Sequence, residues 1–187
     1  TARTLIRSAR ADDLPALYAI ATRPEVARML FLFRPGMDAD DFAARFPLDT
    51  TTPPFRAVIE RDGTVIGSIG VGIAGRGEPA APIWYFLDPV VAGGGLGSEV
   101  VAGFATWLDG AGIGPLGAEV FTDNPASRRV LEKAGFRLSG EGMGVSAARA
   151  APAPISVWIS SMNSTALGRS LSDLSTPFRR CSKSPRY

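Results

Sequence analysis

A cluster of glycines is the feature of this sequence best suited to chemistry. Positions 93–97 are all glycine except Leu96, and the cluster stands between an apolar segment and an amphipathic one. Without side chains, the backbone N–H groups of such a turn approach a ligand closely and adopt positive φ. At a helix start they also favour phosphate, because the helix dipole is positive there. The pattern predicts a phosphate-binding turn, to which the Ser98 hydroxyl adds a donor.

Two common phosphate-binding loops do not fit this turn. A P-loop ends in Gly-Lys-Ser or Gly-Lys-Thr, and no lysine lies here. The dinucleotide pattern Gly-x-Gly-x-x-Gly also fails, because its last position falls on Ser98 or on Val100. A flexible loop without a ligand stays the alternative, since glycine clusters also occur in such loops.

A second motif, Asn124-Pro125-Ala126-Ser127, lies further along the chain. Asparagine is a favoured N-cap, proline is favoured at the first helical position, and a serine in the first turn satisfies a free amide. Gly135 is typical of a helix end. Taken alone, the motif indicates an ordinary helix of about residues 125–134.

The absence of histidine limits the chemistry. With no histidine and with Cys181 as the sole cysteine, the sequence excludes Ser-His-Asp and Cys-His pairs, an internal disulfide and most zinc sites. We therefore predict no metal. Catalysis must depend on carboxylates, hydroxyls, tyrosine, backbone amides or a bound cofactor.

Charge and composition divide the chain into two parts. Residues 163–187 contain five basic residues and one acid, a local charge of +4. Because the whole chain carries +2, residues 1–162 carry about −2. We interpret residues 1–162 as one domain and residues 163–187 as a Ser- and Arg-rich tail that is mobile or loosely packed. The domain has no basic face for nucleic acid. No apolar run reaches the roughly 18 residues of a membrane span, and the start lacks the apolar core of a signal peptide. We expect a cytoplasmic protein.

Apolar periodicity predicts the order of the elements. Strands are expected at residues 4–7, 55–60, 64–73, 83–87, 116–122, 136–138 and 155–160. Helices are expected at 11–21, at 38–46, from the end of the glycine turn to about 109, and at 125–134. Asp12 is the expected cap of the first helix, and Asp62-Gly63 is a strong hairpin signal. The segment 140–154 is ambiguous.

Together the two motifs resemble the GNAT acetyltransferase superfamily, and in particular its RimJ/RimL-like branch. The segment Ala92-Gly93-Gly94-Gly95-Leu96-Gly97 is similar to the family's Q/R-x-x-G-x-G/A motif. The segment from Asn124 to Phe136 is similar to its N-x-x-S…E-K-x-G-F segment, and Trp84 to Pro89 looks like the preceding strand and turn.

The resemblance implies an α/β (α+β) GNAT fold. It has a mixed, mostly antiparallel sheet of about seven strands, helices on both faces, and central parallel strands that splay apart around the cofactor. The implied activity is acetyl-CoA-dependent transfer of an acetyl group to a primary amine, on a protein N-terminus or a small molecule. Two other functions stay open: a non-catalytic acyl-CoA-binding or regulatory module, and binding of RNA or acidic membrane through the tail. A homodimer is also left open.

The resemblance assigns cofactor contacts to Phe86, Leu87, Gly93, Gly94, Gly95, Leu96, Gly97, Ser98, Asn124, Ser127 and Lys133. The amides of residues 93–98 are expected to hold the pyrophosphate, and the strand Tyr85 to Leu87 to pair with the pantetheine arm. Asn124 is expected to contact that arm, and Lys133 and Arg128 either reach cofactor phosphates or lie on a solvated helix face.

Ser127 is the expected acid for the leaving thiolate, with Tyr85 as second choice. A backbone N–H near Leu87 is the expected oxyanion donor. Glu119 is a candidate base, unless strand alternation points it away from the site. An aromatic and apolar cluster at residues 30–33 lines an acceptor groove or packs in the core.

Three positions depart from the family pattern. Ala92 replaces the usual glutamine or arginine, and Gly94 replaces a residue that is often glutamine or basic, so side-chain contacts to the pyrophosphate are fewer. Pro82 stands near the place where relatives often carry a glutamate, which puts the usual base in doubt.

Overall fold

Seven strands form one sheet in the computed structural model, which describes residues 1–160. They are β1 Leu5–Ser8, β2 Phe55–Arg61, β3 Thr64–Val71, β4 Ala81–Leu87, β5 Leu116–Phe121, β6 Phe136–Gly144 and β7 Ala153–Ser160. The order across the sheet is β1-β2-β3-β4-β5-β7-β6. Neighbouring strands are antiparallel except β4 and β5, which are parallel. The predicted mixed, mostly antiparallel sheet is confirmed.

The helices lie on both faces of this sheet. They are α1 Leu14–Ala21, α2 Pro24–Ala27, α3 Ala39–Ala43, α4 Leu96–Gly110 and α5 Pro125–Lys133, with 3₁₀ turns at Ala11–Asp13 and Pro89–Val91. On one face the core includes Val100, Phe104 and Leu108 of α4 and Leu131 of α5. On the other face a core rich in phenylalanine joins α1 and α3 to β2 and β4. Because successive side chains of a strand alternate, β2 supplies Ile59 to the first core and Val58 to the second.

The first helix begins differently from the prediction. Asp12 is exposed, whereas Asp13 is buried and accepts a hydrogen bond from the backbone N–H of Arg10 at 2.8 Å. Arg7 donates to both oxygens of Asp13 at 2.7 Å and thereby holds it inside. The prediction of Asp12 as cap was therefore wrong, because an ion pair with Arg7 of β1 holds the neighbouring Asp13 instead.

The structure contains the predicted hairpin turn, and it assigns the segment 140–154 to known elements. Asp62 and Gly63 take φ values of 51° and 78° between β2 and β3, which is the conformation that a two-residue hairpin turn requires. The segment 140–154 divides between the end of β6, a loop, and the start of β7. Helix α2 has only four residues and was not predicted.

The parallel strands β4 and β5 separate soon after they meet. Only Ala81 pairs with Leu116 and Pro82 with Gly117, yet the strands continue to Leu87 and Phe121. In β4 the even-numbered residues bond to β3, as when Gly72 donates to the Pro82 carbonyl at 2.8 Å. Because backbone groups alternate sides, those of residues 83, 85 and 87 face the gap. The expected splay is present.

The tail, residues 163–187, and its RNA or membrane binding lie outside the described residues. Within residues 1–160, no helix has the length and apolar character needed to cross a membrane. A cytoplasmic location stays a prediction.

Candidate active site

The gap between β4 and β5 opens into a cavity of about 950 Å³. The glycine turn, the first turn of α4 and the segment 25–33 all line it. Strands β4 and β5 and the start of α5 line it as well. The cavity therefore joins both sequence motifs to the aromatic segment that precedes α3.

The glycine turn presents free backbone donors to this cavity. Gly93 and Gly95 have φ values of 93° and 73°, and Gly95 is the N-cap of α4. The N–H groups of Leu96, Gly97 and Ser98 have no acceptor among the residues that the structure describes. A Cβ atom at position 93 or 95 would meet no atom within 4 Å. The open space and the unsatisfied donors fit an anionic ligand such as a diphosphate.

Gly94 and Gly97 have other surroundings. The carbonyl of Gly94 accepts from Nη1 of Arg3 at 2.9 Å, and Gly94 does not line the cavity. Arg3 also pairs with Glu99 at 2.6 Å, so it fixes the turn to the first turn of α4. A Cβ at Gly97 would lie 3.1 Å from Cγ2 of Val130, which shows that this glycine also lets α4 pack against α5.

Ser127 and Tyr85 form a hydroxyl pair on the wall of the cavity. The phenol oxygen of Tyr85 lies 2.7 Å from Oγ of Ser127, and either hydroxyl can donate. Oδ1 of Asn124 accepts from the Ser127 N–H at 3.1 Å, which places the serine in the first turn of α5. Burial raises the pKa of Tyr85 to about 12, against a smaller opposing effect of the Ser127 hydrogen bond. The phenol therefore keeps its proton at neutral pH.

Strand β4 directs its predicted site residues to different places. The backbone groups of Tyr85 and Leu87 face the gap, since their neighbours bond to β3. The carbonyl oxygen of Phe86 instead lies against Gly67 of β3, and its side chain belongs to the second core. Phe86 lines the cavity, but its backbone is turned away from β5.

Glu119 and Lys133 both line the cavity, whereas Arg128 does not. Arg128 pairs with Glu132 at 2.9 Å along the exposed face of α5. Glu119 is exposed, and strand alternation places it on the face of β5 that also carries Phe121. It lies on the cavity wall, but no hydrogen bond joins it to Ser127 or Tyr85 within the described part of the chain.

The aromatic segment at residues 30–33 contributes both to the core and to the cavity wall, and its role in acceptor binding stays a prediction. Phe33 is a core residue at 2% exposure, whereas Leu32 is 46% exposed. Phe31 stacks on Phe121 with ring centres 4.7 Å apart. All four residues of the segment line the cavity.

Similarity to known proteins identifies the family of this chain. Residues 3–137 match the family described as the Acetyltransferase (GNAT) domain. The chain belongs to the GNAT acetyltransferase family. It is 31% identical over 148 residues to the uncharacterised N-acetyltransferase YoaA of Bacillus subtilis strain 168, an alignment that covers 75% of this chain and 82% of YoaA. This GNAT protein is accordingly an N-acetyltransferase with acetyl-CoA as co-substrate.

The solved structures that share the fold include two acetyltransferases of stated substrate. One is an acetyl transferase of Salmonella typhimurium that modifies the N-terminal serine of ribosomal protein L7/L12, with a TM-score of 0.71, 17% identity, and 85% of this chain and 95% of that chain covered. The other is the spermidine N-acetyltransferase of Vibrio cholerae with CoA and spermine, with a TM-score of 0.70, 14% identity, and 87% and 98% covered.

Arg56 and Trp84 also line the cavity of this GNAT domain, and sequence reasoning did not select them. Arg56 is 7% exposed, and its guanidinium carbon lies 4.7 Å from the centre of a Trp84 ring. The available signal was an arginine between the apolar residues that begin the strand Phe55–Arg61, because buried charges are rare without a reason. Residues 1–160 contain no cluster of three His, Cys, Asp or Glu side chains arranged to hold a metal.

Proposed function

We propose that the glycine turn of this acetyltransferase binds the pyrophosphate of acetyl-CoA, and that the β4–β5 gap receives the pantetheine arm. One observation carries the proposal: the unpaired backbone edge of β4 and the free amides at the start of α4 line one cavity. An extended amide-containing chain adds to the edge of a strand, and a diphosphate binds at a helix start. Acetyl-CoA carries both groups, and it supplies the acetyl group.

In the proposed reaction a neutral primary amine attacks the thioester carbonyl directly. The new C–N bond forms, the C–S bond breaks, the amine nitrogen loses one proton and the coenzyme A thiolate gains one. We assign the proton donation to Ser127, held by the protonated phenol of Tyr85 at 2.7 Å. The Leu87 N–H donates to the carbonyl oxygen, a type of contact worth about 3 kcal/mol. Glu119 removes the amine proton directly or through water.

We infer that the acceptor is a protein N-terminal amine or a small amine, and that the chain belongs to the RimJ/RimL-like branch. The motifs near Gly95 and Ser127 and the fold shared with the Salmonella enzyme support the branch. The acceptor enters where the segment 25–33 and Glu119 line the cavity. A homodimer and the absence of nucleic-acid partners stay predictions.

One observation favours a second candidate, a non-catalytic acyl-CoA-binding module. Glu119 is exposed, and no carboxylate forms a hydrogen bond with the Ser127–Tyr85 pair among residues 1–160. Positioning alone supplies much of the rate in many acyl transfers, so catalysis by this N-acetyltransferase does not require such a carboxylate. Turnover with any amine distinguishes the two.

The substitution Gly95→Glu tests the proposed site. Its side chain would project into the open space at the turn, where nothing lies within 4 Å, and would put a carboxylate where the diphosphate binds. We expect calorimetry to show loss of coenzyme A and acetyl-CoA binding. Gly36→Glu is the matched control, since Gly36 has a φ of 65° and also faces open space. Equal affinity in both variants would reject the site.

A thiol-release assay then tests the reaction. Acetyl-CoA is supplied with a panel of amino acids, polyamines and peptides with free N-termini. Turnover with one acceptor class supports the enzyme. Tight binding without turnover on every acceptor supports the binding module.

A further inference from the structure

Arg56 is a buried cation without an ionic partner. It is 7% exposed, and no carboxylate among the described residues lies within 4.0 Å of its guanidinium nitrogens. Nε donates to the backbone carbonyl of Arg45 at 2.9 Å, and neither terminal nitrogen has an acceptor in the described part of the chain. Buried charges in proteins are normally paired. The four N–H groups of the two terminal nitrogens are therefore available to a ligand.

Three aromatic rings hold this guanidinium in place. The guanidinium carbon lies 4.7 Å from the ring centre of Trp84 and 5.4 Å from those of Phe33 and Phe46. Aromatic faces attract a cation but satisfy none of its hydrogen bonds. Burial, and to a smaller extent the charge of Arg45, lower the pKa of Arg56 to about 10. The side chain is thus still a cation at neutral pH.

The terminal nitrogens of Arg56 are not fully enclosed, and Arg56 lines the cavity. Among the described residues, one fully buried side-chain nitrogen or oxygen lacks a hydrogen-bond partner, and it is Nε1 of Trp84. The terminal nitrogens of Arg56 also lack partners, so they are not fully buried. The unpartnered nitrogens of Arg56 consequently retain access, and Arg56 lines the same cavity as the Ser127–Tyr85 pair. A planar guanidinium with free N–H groups matches the two oxygens of a carboxylate.

Acids occupy other parts of the cavity wall. Glu25, Glu78 and Glu119 line it, and none of them reaches Arg56. Glu119 lies on β5, across the gap from the strands that carry Arg56 and Trp84. A ligand between them meets a carboxylate on one wall and a guanidinium on the other.

We propose that the acceptor is a free amino acid, whose carboxylate binds Arg56 while its amine faces the acetyl group beside Glu119. The inference rests on the proposed function and names the acceptor class for the same site. A buried cation disfavours a polyamine, which brings only positive charge. A protein N-terminus has a peptide bond in place of that carboxylate, so it leaves Arg56 unpaired.

Wild-type enzyme tests the inference without any substitution. Thiol release is measured with L-amino acids, their carboxamides, spermidine, and a serine-terminated peptide amide. We expect kcat/KM for the preferred amino acid to exceed that of its carboxamide at least tenfold. Amine basicity alone would favour the carboxamide, because its amine is less basic and more of it is the neutral nucleophile. A preference for the free amino acid would therefore come from its carboxylate.

Variants of Arg56 then locate the recognition. Arg56→Gln removes the charge, and we expect it to abolish the preference for the carboxylate by raising the KM of the amino acid. Arg56→Lys keeps the charge but loses the planar fork, and we expect part of the preference to return. Arg61→Gln on the same strand is the control, since the Arg61 side chain is 47% exposed. The coenzyme A Kd and the thermal midpoint are measured for each variant.

Several results would overturn the inference. A wild-type preference for spermidine, for the peptide amide or for carboxamides would reject it while the proposed function stands. The same holds if no amino acid is acetylated, or if Arg56→Gln folds and keeps its preference for the carboxylate. Failure of acetyl-CoA to bind wild-type protein would instead reject the proposed function, and the inference with it.

Discussion

Arg56 and Trp84 contact each other across a strand that separates them. Their guanidinium and ring lie 4.7 Å apart, although Arg56 is on β2 and Trp84 is on β4. Gly70 of β3 pairs with Arg56 on one side and with Trp84 on the other. The two side chains meet because the residue between them has none. A Cβ at position 70 would collide with the Phe55 carbonyl oxygen and with Nε1 of Trp84.

We therefore expect Gly70→Ala to destabilise the protein by about 1–3 kcal/mol, the usual effect of overpacking. Urea denaturation measures the free energy of unfolding. Gly110→Ala is the control, because a Cβ there meets nothing within 4 Å and helical alanine is favoured by up to about 1 kcal/mol. If Gly70→Ala is as stable as Gly110→Ala, the close packing of Arg56, Gly70 and Trp84 is wrong.

The Ser127–Tyr85 pair predicts a loss of turnover without a loss of binding. Removal of the hydroxyl in Ser127→Ala leaves the thiolate without its donor, and general acids contribute about 10²–10⁴ in rate. We expect kcat to fall at least tenfold, while the Kd for coenzyme A changes less than about threefold. Steady-state kinetics and calorimetry on the same variant measure the two quantities. Unchanged kcat would exclude Ser127 from the reaction.

Tyr85→Phe separates the two hydroxyls. The phenol holds Ser127 at 2.7 Å, so both substitutions disrupt one unit. Effects within one hydrogen-bonded unit are not additive. We expect Tyr85→Phe in the Ser127→Ala background to reduce kcat by less than it does in the wild type. Multiplicative effects would show that the two residues act separately.

Sequence reasoning was strongest where function depends on local structure. The Gly95 N-cap and the Asn124 cap of α5 follow from residue types that suit one backbone conformation. Gly63 specifies its turn for the same reason. Such choices depend on neighbours within a few residues, so the sequence predicts them directly.

Choices that depend on a neighbouring helix or strand were the ones that could not be predicted. Asp13 rather than Asp12 is held inside because Arg7 reaches it from β1. Arg56 becomes a cavity residue only through the register of three strands. Glu119 lies on the cavity wall, but its distance from an acceptor amine depends on how the acceptor binds. These arrangements are set by tertiary packing, which residue patterns do not encode.

The Arg7–Asp13 pair predicts a pH dependence of stability. Hydrogen bonds from Arg7, against an opposing effect of burial, lower the pKa of Asp13 below its ordinary value. A lowered folded-state pKa gives stability that is present above the unfolded value near pH 4 and lost as the pH falls through the folded value. Asp13→Asn should cost about 3 kcal/mol at pH 7, as expected when a buried pair is broken.

The difference between wild type and Asp13→Asn should stay constant above about pH 5 and shrink below about pH 4. Denaturant titrations at several pH values measure it. Asp12→Asn is the control, because Asp12 is exposed and should have little effect at any pH. A difference that grows as the pH falls would contradict the assignment.

Arg149 fastens the segment 25–33 of the cavity wall to the rest of the domain. It donates to both oxygens of Asp123 at 2.8 and 3.1 Å and to the carbonyl of Arg28 at 2.9 Å. Its guanidinium carbon also lies 4.2 Å from the ring centre of Phe121, on which Phe31 stacks. One side chain thus joins the β6–β7 loop, the end of β5 and the segment that lines the cavity.

We expect Arg149→Ala to raise the acceptor KM at least fivefold, because the segment around Phe31 loses its anchor and the cavity wall becomes mobile. The Kd for coenzyme A should stay within about twofold, since the glycine turn and α4 do not contact Arg149. Arg137→Ala, an exposed arginine on β6, is the control. Steady-state kinetics with the preferred acceptor and calorimetry with coenzyme A measure both quantities. Equal losses in acceptor KM and coenzyme A affinity would mean that Arg149 supports the whole fold rather than the segment 25–33.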